Sequence, residues 1–313
     1  MELGHVVVLA GGLSYEREVS LRSGRRVTDA LRALDIPVEL RDADANLLDS
    51  LTDDPPDAVF PVLHGAAGED GAIRDVLELL GMRYVGARPD ACRVAWDKPT
   101  AKSVVRRAGL QTPASVALPK EIFHDLGAAS VLDQIIRSLG LPLFVKPTRG
   151  GSALGASVVH NAADLSAAMV GCFAYGDSAL VERFISGIEV AVSVIERDGT
   201  PTALPAVEIV APGGLYDYTA RYDAGDTEFV TPARLTPDAT ARATAAAVTA
   251  HRALGLRDLS RTDLIVTPDD EVHFLEVNVA PGMTETSLFP RAVSGAGLDL
   301  GEVCRDLLLS RFP

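Results

Sequence analysis

The chain has 313 residues, of which 47% are hydrophobic and 23% are charged. This composition is typical of a globular protein long enough for two or three domains. Its formal net charge is −14 at pH 7. This charge argues against nucleic acid and anionic membranes as partners, because lysine and arginine hold both kinds of surface. We expect a soluble protein that binds neither.

The three cysteines are scattered along the chain without a Cys-x-x-Cys pair, at Cys92, Cys172 and Cys304. An odd, dispersed set argues against a disulfide framework and against a structural zinc site. The first residues enter a strand-like run and show neither the basic region nor the small-residue cleavage site of a signal peptide. No apolar run approaches the roughly 18 residues that a membrane span needs. We therefore expect a cytoplasmic protein.

The N-terminal part of the chain alternates strand-like and helix-like segments. The pattern predicts a strand over 6–10, a helix over 18–34, strands over 37–40 and 58–63, and a helix that begins near residue 71. Such alternation predicts an open parallel sheet, on which ligands bind beyond the carboxyl ends of the strands. The loops 11–18 and 64–71 both follow strands, so we expect them to face one cleft.

The rest of the chain is predicted to continue as α/β structure. Helices are expected over 98–108, through residue 135 and over 237–254; strands over 143–146, 156–160, 181–185, 190–195, 263–266 and 272–277; and an extended acidic loop over 213–231. This order predicts three consecutive lobes, which we place at residues 1–90, 91–181 and 182–313.

A glycine-rich segment with a lysine predicts a phosphate site. Only four of the 29 basic residues are lysines, at positions 98, 102, 120 and 146. Lys146 ends a predicted strand and precedes a loop with three glycines over 150–155. Glycines let backbone N–H groups approach an anion closely, and lysine adds a compact charge. The order of a Walker A loop is absent. A plain glycine-rich hairpin is the alternative.

Oxygen-bearing side chains on two neighbouring predicted strands suggest a metal site. Asp263 and Glu276 lie on these strands, and Asn278 shares a face with Glu276 because side chains alternate with a period of two. Two carboxylates and an amide suit Mg²⁺ and nucleotide phosphates. A solvated acidic face is the alternative, which the surrounding apolar residues disfavour.

Four further polar residues are candidates for ligand contacts. Glu182 and Glu189 flank a predicted turn and could accept hydrogen bonds from a purine amino group and ribose hydroxyls, although surface acids explain them better if they are taken alone. Glu16 stands at a predicted helix N-terminus, where it could pair with an ammonium group. His64 follows a predicted strand at the ligand edge, and structural and functional roles are equally open for it.

In this order, the segments resemble the D-alanine–D-alanine ligase family of ATP-grasp enzymes. The matching motifs are Gly11-Gly12 through Ser20, His64 through Gly71, Asp97-Lys98, Lys146 through Ser152, Glu182 through Glu189, Asp217 through Tyr222, and Glu276 through Asn278 with Pro281 through Thr284 and Ser287-Leu288. The resemblance covers nearly the whole chain. It implies an α/β ATP-grasp fold of three lobes, with a parallel N-terminal sheet and the nucleotide bound between the central and C-terminal lobes.

The resemblance also implies a reaction. ATP phosphorylates the carboxylate of one D-alanine, and the amine of a second D-alanine attacks the acyl phosphate, which gives the dipeptide for peptidoglycan. The implied cofactors are ATP and two Mg²⁺ ions, with Mn²⁺ able to replace them. A homodimer formed through the N-terminal lobe is implied as well.

Residue roles follow from the same resemblance. ATP contacts are implied for Lys98, Lys146, Glu182, Glu189 and Arg221. Metal ligands are implied for Asp263, Glu276 and Asn278. Stabilisation of the tetrahedral oxyanion is implied for Arg261 and the backbone N–H of Gly282. A hydrogen-bonded triad that links the first-substrate site to the 213–231 loop is implied for Glu16, Ser152 and Tyr222. The first substrate would lie near His64, and the second near Ser287 and Leu288.

Several positions depart from the family pattern. Ala153 stands where a second serine is usual, Arg221 replaces a lysine, Trp96 and Val279 differ, and the segment Arg88–Cys92 is unlike its counterpart. These differences leave ATP use intact and leave the substrate open. The alternative is a specialised paralogue in antibiotic biosynthesis, such as a D-cycloserine-forming ligase that cyclises O-ureido-D-serine. A non-catalytic nucleotide-binding relative is disfavoured, because no phosphate lysine or magnesium ligand is lost.

Overall fold

A computed structural model describes residues 3–197, 199–211 and 227–312. The α-helices in these ranges are α1 (Arg17–Arg32), α2 (Leu47–Asp53), α3 (Ala66–Glu69), α4 (Ala72–Leu79), α5 (Pro89–Trp96), α6 (Lys98–Arg107), α7 (Glu121–Asp125), α8 (Ala128–Leu139), α9 (Leu165–Phe173), α10 (Pro237–Ala253), α11 (Leu288–Gly295) and α12 (Leu300–Leu309). The strands are β1 (Val6–Ala10), β2 (Val38–Asp42), β3 (Ala58–Pro61), β4 (Ser115–Pro119), β5 (Leu143–Pro147), β6 (Ser157–Val159), β7 (Ser178–Arg183), β8 (Ile188–Arg197), β9 (Thr200–Ala203), β10 (Val207–Val210), β11 (Glu228–Val230), β12 (Leu259–Val266) and β13 (Val272–Asn278). Within the same ranges, none of the helices combines the length and apolarity that crossing a bilayer requires.

The first sheet is parallel, with the order β2-β1-β3, so the predicted parallel N-terminal sheet is confirmed. Every residue of the central strand β1 is buried. A continuous apolar strand of this kind is expected where both faces of a parallel sheet are covered. The loops that follow β1 and β3 leave the same edge of this sheet, and they carry Glu16 and His64.

The second sheet is antiparallel, with the order β4-β7-β5-β6. Leu143 and Val145 of β5 belong to a core that also contains residues of α8 and α9. Phe144 and Lys146 alternate with them and therefore point to the opposite face. That face lines a cavity. The alternation of β5 thus separates a packed side from a ligand-accessible side.

The third sheet has antiparallel pairings in the order β11-β10-β8-β12-β13, and β9 also pairs with β8. On β8, Ala191 and Ile195 join a core shared with the first sheet. Val190, Val192 and Val194 join a second core that contains residues of α5, α6 and α10. The third sheet is therefore covered on both faces. On one side lie α11 and α12, of which α12 also packs against the N-terminal lobe, and on the other lie α5, α6 and α10.

The division of the chain at residues 90 and 181 stays a prediction. Helices α5 and α6 pack in the core of the third sheet, although their residues fall mainly in the predicted central lobe. The strand β7, which ends at Arg183, completes the second sheet. Hydrophobic packing thus groups residues 89–107 with the C-terminal sheet.

Candidate active site

A cavity of about 420 Å³ lies between the second and third sheets. Its lining includes the ends of β5 and β7, the glycine-rich loop after β5, and the facing strands β12 and β13. The volume falls in the range of about 300–1,000 Å³ that is typical of small-molecule sites. Glu189, at the start of β8, also lines it. Most of the charged residues that the sequence singled out converge here.

Two of the four lysines meet two acidic residues in this cavity. Lys146 Nζ lies 3.3 Å from Glu182 Oε2 and 3.3 Å from Glu276 Oε2. Lys98 Nζ lies 4.0 Å from the same Glu276 oxygen and donates a 2.7 Å hydrogen bond to the carbonyl of Gly150. The two predicted phosphate lysines therefore converge on one carboxylate, beside the glycine-rich loop.

Lys146 and Glu182 keep their charges despite burial. Burial lowers the pKa of Lys146, but the carboxylates of Glu182 and Glu276 outweigh it and leave the pKa above its usual value. Burial raises the pKa of Glu182, but the charges of Lys146 and Lys102 outweigh the effect of burial and leave the pKa below its usual value. For Lys98, burial dominates over the attraction of Glu276, and the pKa is lowered. Glu182 therefore remains an ionised acceptor at neutral pH.

Lys102 is a member of this network that the sequence analysis did not assign. Its Nζ lies 2.7 Å from Glu182 Oε1 and donates a 3.2 Å hydrogen bond to the carbonyl of Phe274. Burial lowers the pKa of Lys102 to about 8. The available signal was its position four residues after Lys98, since residues at this spacing share one face of a helix.

The predicted metal ligands lie on adjacent strands, and two of them, Asp263 and Glu276, line the cavity. Asp263 stands directly opposite Glu276 in the β12–β13 register, and Asn278 stands opposite Arg261. Arg261 donates hydrogen bonds of 2.7 and 2.8 Å to the two oxygens of Asp263. Asn278 Oδ1 accepts a 2.7 Å bond from the backbone N–H of Ala280. Two facing carboxylates and a nearby amide oxygen form a donor set that fits Mg²⁺.

The glycine-rich loop contacts the N-terminal lobe. Ser152 donates its hydroxyl to Glu16 Oε1. Ser152 and Ala153 have φ values of 53° and 55°, in the left-handed region that non-glycine residues seldom occupy. Such conformations cost about 1–3 kcal/mol each and persist where the surrounding structure enforces them, often at functional sites. The loop that Lys98 contacts is thus joined to the Glu16 carboxylate.

His64 is buried, and both of its ring nitrogens have partners. Nδ1 lies 3.0 Å from the carbonyl oxygen of Ala280, and Nε2 lies 3.2 Å from the hydroxyl of Ser23. Burial lowers the pKa of the imidazole. Ser23 is a second residue that the sequence analysis did not assign, and a serine two turns into a helix gave no signal for it.

Glu69 is a buried carboxyl group close to the same loops. It is 7% exposed and accepts a 3.0 Å hydrogen bond from the backbone N–H of Gly65. Burial, with repulsion from Glu16, raises its pKa to about 8. Glu69 falls within the motif His64 through Gly71, and no role of this residue was predicted.

The residues predicted for the second substrate lie at the start of α11. Ser287 Oγ accepts a 3.0 Å hydrogen bond from the backbone N–H of Thr284 and lies 2.8 Å from the Thr284 hydroxyl. A Cβ atom at Gly282 would lie 2.7 Å from Ser287 Oγ, so this approach requires glycine. Leu288 is buried. Arg221 and Tyr222 lie outside the described residues, and their predicted roles stay predictions.

The segment Arg88–Cys92 is not among the residues that line this cavity, and its predicted bearing on substrate identity stays a prediction. Arg88 precedes α5, and Pro89 occupies the first turn, where its missing N–H is not needed. Ala91 and Cys92 are buried in the core that covers the third sheet. The unusual residues of this segment are explained by helix initiation and core packing.

Two family models match separate parts of the chain. A model described as "D-ala D-ala ligase N-terminus" matches residues 43–87, and one described as "D-ala D-ala ligase C-terminus" matches residues 104–309. The D-alanine–D-alanine ligase of Anaeromyxobacter sp. (strain Fw109-5) is 40% identical over 303 residues, which cover 97% of this chain and 95% of that protein.

Solved structures agree with these matches. The VanG D-Ala:D-Ser ligase of Enterococcus faecalis superposes with a TM-score of 0.84 at 29% identity, over 99% of this chain and 100% of that one. The D-alanine–D-alanine ligase of Bacillus anthracis complexed with ATP superposes with a TM-score of 0.82 at 25% identity, over 98% and 97% of the two chains. The similarity therefore extends over nearly the full length of each protein.

Proposed function

Because the chain belongs to the D-alanine–D-alanine ligase family, we propose that it uses ATP to join the carboxylate of one D-alanine to the amine of a second. It is an ATP-dependent carboxylate–amine ligase with the ATP-grasp fold that the sequence predicted. One observation carries the proposal: Lys98 and Lys146 converge on Glu276, opposite Asp263, in a single cavity. The dipeptide would supply peptidoglycan synthesis.

We assign the nucleotide to the cavity between the second and third sheets. Glu182, held ionised by two lysines, would accept a hydrogen bond from the adenine amino group, and Glu189 would contact the ribose. Lys98 and Lys146 would bind the phosphates together with the backbone of the glycine-rich loop. Arg221 is proposed as a further contact. The Bacillus anthracis relative with ATP bound supports nucleotide binding in this fold.

We assign Asp263, Glu276 and Asn278 to two Mg²⁺ ions, which Mn²⁺ could replace. Their oxygen donors and facing strands support this assignment. The ions, when bound, would neutralise charge on the phosphate oxygens. The guanidinium of Arg261, on the same strand, donates to both oxygens of Asp263, so the protein itself supplies a positive charge next to this carboxylate.

The reaction then needs positioning and charge stabilisation more than covalent help from the protein. A carboxylate oxygen of the first D-alanine attacks the γ-phosphorus, and ADP leaves. The amine of the second D-alanine attacks the carbonyl carbon of the acyl phosphate, and phosphate leaves. We propose that Glu16 pairs with the first ammonium group. Arg261 and the backbone N–H of Gly282 would donate to the oxyanion.

Two further residues would contact the substrates. Ser287 and Leu288 are proposed to contact the second amino acid, because Ser287 lies close to Gly282, the proposed donor to the oxyanion. Ser152 would transmit the position of the glycine-rich loop to Glu16 through their hydrogen bond. Tyr222 is proposed as the third member of that group.

D-Serine is the other amine to test, since a structural neighbour is a D-Ala:D-Ser ligase. The relatives give no support to the specialised paralogue that would cyclise O-ureido-D-serine, and we do not propose it. We place the reaction in the cytoplasm, where ATP is available and thiols stay reduced, which suits the free, buried cysteines. The homodimer through the N-terminal lobe stays a prediction, which light scattering can check.

The test is phosphate release by the purified chain with ATP, MgCl₂ and D-alanine, with products identified by mass spectrometry. We expect one phosphate for each D-alanyl-D-alanine formed. Lys146→Met and Glu276→Gln should each abolish turnover without unfolding the protein. Lys120→Met is the matched control, because Lys120 is exposed and pairs with the exposed Asp177. Absence of dipeptide, or full turnover by Lys146→Met, would overturn the proposal.

A further inference from the structure

Three hydrogen bonds tie the segment 280–283 to the N-terminal lobe. His64 Nδ1 contacts the carbonyl oxygen of Ala280 at 3.0 Å, and the backbone N–H of Met283 donates to Ser23 Oγ at 3.1 Å. Arg26 Nη1 donates to the carbonyl of Met283 at 3.2 Å. These contacts fall on both sides of Gly282, whose backbone N–H is the proposed oxyanion donor.

The partners determine where the protons lie. The Ala280 carbonyl can only accept, so His64 Nδ1 carries the hydrogen. Ser23 Oγ already accepts from Met283, and the hydrogen of its own hydroxyl points to a group that can accept it. His64 Nε2, at 3.2 Å, is that acceptor. Each of these donors and acceptors then has a partner, with His64 as the neutral Nδ1–H tautomer.

The surroundings favour the neutral ring. His64 is 4% exposed and Ser23 is fully buried. Burial lowers the pKa of the imidazole, and the charge of Arg261 acts in the same direction. Glu16 and the hydrogen bond to Ala280 raise the pKa, but it stays below its usual value. A neutral imidazole with both nitrogens occupied keeps one orientation, because rotation would break both bonds.

We propose that Ser23 and His64 are positioning residues that hold the backbone N–H of Gly282 at the site of the oxyanion. The Met283 N–H donates to Ser23 Oγ, the Ser23 hydroxyl donates to His64 Nε2, and His64 Nδ1–H donates to the Ala280 carbonyl. The inference rests on the proposed ligase function. An oxyanion donor is effective only if it is oriented before charge develops. Ser287 also lies close to Gly282, since its Oγ would be 2.7 Å from a Cβ at position 282.

The first test is the replacement Ser23→Ala, measured at saturating D-alanine. We expect kcat to fall by about 10- to 100-fold, less than the roughly 100- to 1,000-fold that loss of an oxyanion donor costs, because the Gly282 N–H is loosened and not removed. The KM for ATP should stay within about twofold. Ser23→Thr keeps the hydroxyl and should recover part of kcat. Ser20→Ala is the matched control: Ser20 is a fully buried serine of the same helix whose hydroxyl contacts Gly11 and Val62 instead. Its kcat should stay close to that of the unchanged chain.

The second test reads the tautomer directly, by ¹⁵N NMR of histidine-labelled protein between about pH 6 and 8. In the unchanged chain, His64 should show a protonated Nδ1 and an unprotonated Nε2 that do not titrate. In Ser23→Ala, the Nε2 resonance should shift because its hydrogen-bond donor is gone. If Ser23→Ala fails to fold, His64→Asn keeps a donor for Ala280, and its kcat should exceed that of His64→Phe.

Unchanged kcat in Ser23→Ala would overturn the inference, as would an Nε2–H tautomer or a titrating imidazolium in the unchanged chain. These outcomes are distinguishable from failure of the proposed function. That failure would show as the absence of D-alanyl-D-alanine from the unchanged chain, whatever the tautomer of His64.

Discussion

Lys102 Nζ lies 2.7 Å from Glu182 Oε1, and the two side chains are only 1% and 2% exposed. The other oxygen of the same carboxylate faces Lys146 Nζ at 3.3 Å. A buried carboxylate is costly unless it is paired, and here it lies between two ammonium groups. Its position and orientation are therefore fixed before any ligand arrives. For a group proposed to accept the adenine amino group, that orientation helps to determine which nucleotide binds.

Replacing Lys102 by methionine should impair nucleotide binding more than turnover. Lys102→Met keeps the length of the side chain but removes one of the two charges that hold Glu182. We expect the KM for ATP to rise about tenfold, which corresponds to about 1.4 kcal/mol, with a smaller change in kcat. Breaking a buried ion pair should also lower the free energy of unfolding by about 3–5 kcal/mol. Steady-state kinetics and urea denaturation measure the two effects.

Lys120→Met is the control for this prediction, since its lysine is exposed and its partner Asp177 is exposed too. It should change neither the KM for ATP nor the urea midpoint by a measurable amount. An unchanged KM in Lys102→Met would show that Lys146 alone suffices to hold Glu182 for the nucleotide.

Local sequence signals located many of the elements of the fold. The strand over 6–10 was predicted with its observed bounds because its apolar run is uninterrupted. The predicted start of α6 at Lys98 agrees with a cap in which the Asp97 side chain accepts a hydrogen bond from the Thr100 N–H. The helix α9 was not predicted, because its residues are apolar on nearly all sides and show no helical periodicity.

The site was predictable where it depends on strand geometry and less so where it depends on packing between lobes. The two final predicted strands placed Asp263 and Glu276 next to each other, and the structure puts them directly opposite in the register. The pairing of Lys102 with Glu182 joins residues that are far apart in the sequence, so composition and spacing could not reveal it. The contact of Ser23 with His64 depends on the packing of α1 against the loop after β3 in the same way.

Removing the hydroxyl of Ser152 should affect the first D-alanine more than ATP. In Ser152→Ala the glycine-rich loop loses its hydrogen bond to Glu16, which is the proposed partner of the first ammonium group. We expect the KM for the first D-alanine to rise about tenfold, as expected for a charge-assisted hydrogen bond worth about 1.5–3 kcal/mol. Kinetics with D-alanine varied at saturating ATP measure this constant.

Leu13→Ala is the control for Ser152→Ala. Leu13 is 99% exposed and stands three residues before Glu16 in the same loop. Its replacement tests whether any change near Glu16 weakens substrate binding. Equal effects of the two variants would remove the Ser152–Glu16 bond from the explanation.

Metal removal should abolish activity but leave the fold intact. Asp263 is held by Arg261, and the Glu276 carboxylate lies 3.3 Å from Lys146 Nζ, so both acids are compensated by protein groups. We expect EDTA to leave the Tm of the ligand-free protein unchanged. Mg²⁺ with ATP should raise the Tm by several degrees, because a ligand at about 100 times its Kd stabilises the folded state by about 2.7 kcal/mol. A clear fall of Tm in EDTA would contradict this prediction and indicate a structural ion.

The carboxyl group of Glu69 should make stability depend on pH between the acid and neutral ranges. Its pKa is raised from 4.5 to about 8, first by burial and then by the neighbouring Glu16. Between pH 4.5 and about pH 8, Glu69 keeps its proton in the folded protein but has released it in the unfolded chain. The contribution of Glu69 to stability therefore falls as the pH rises through this range. Glu69→Gln carries no ionisable group and keeps an oxygen for the Gly65 N–H. The variant should therefore gain stability relative to the unchanged chain from about pH 5 to 8, and the difference should level off above about pH 8. Urea midpoints over this range measure the difference, and a value independent of pH would show that Glu69 is ionised in the folded protein throughout.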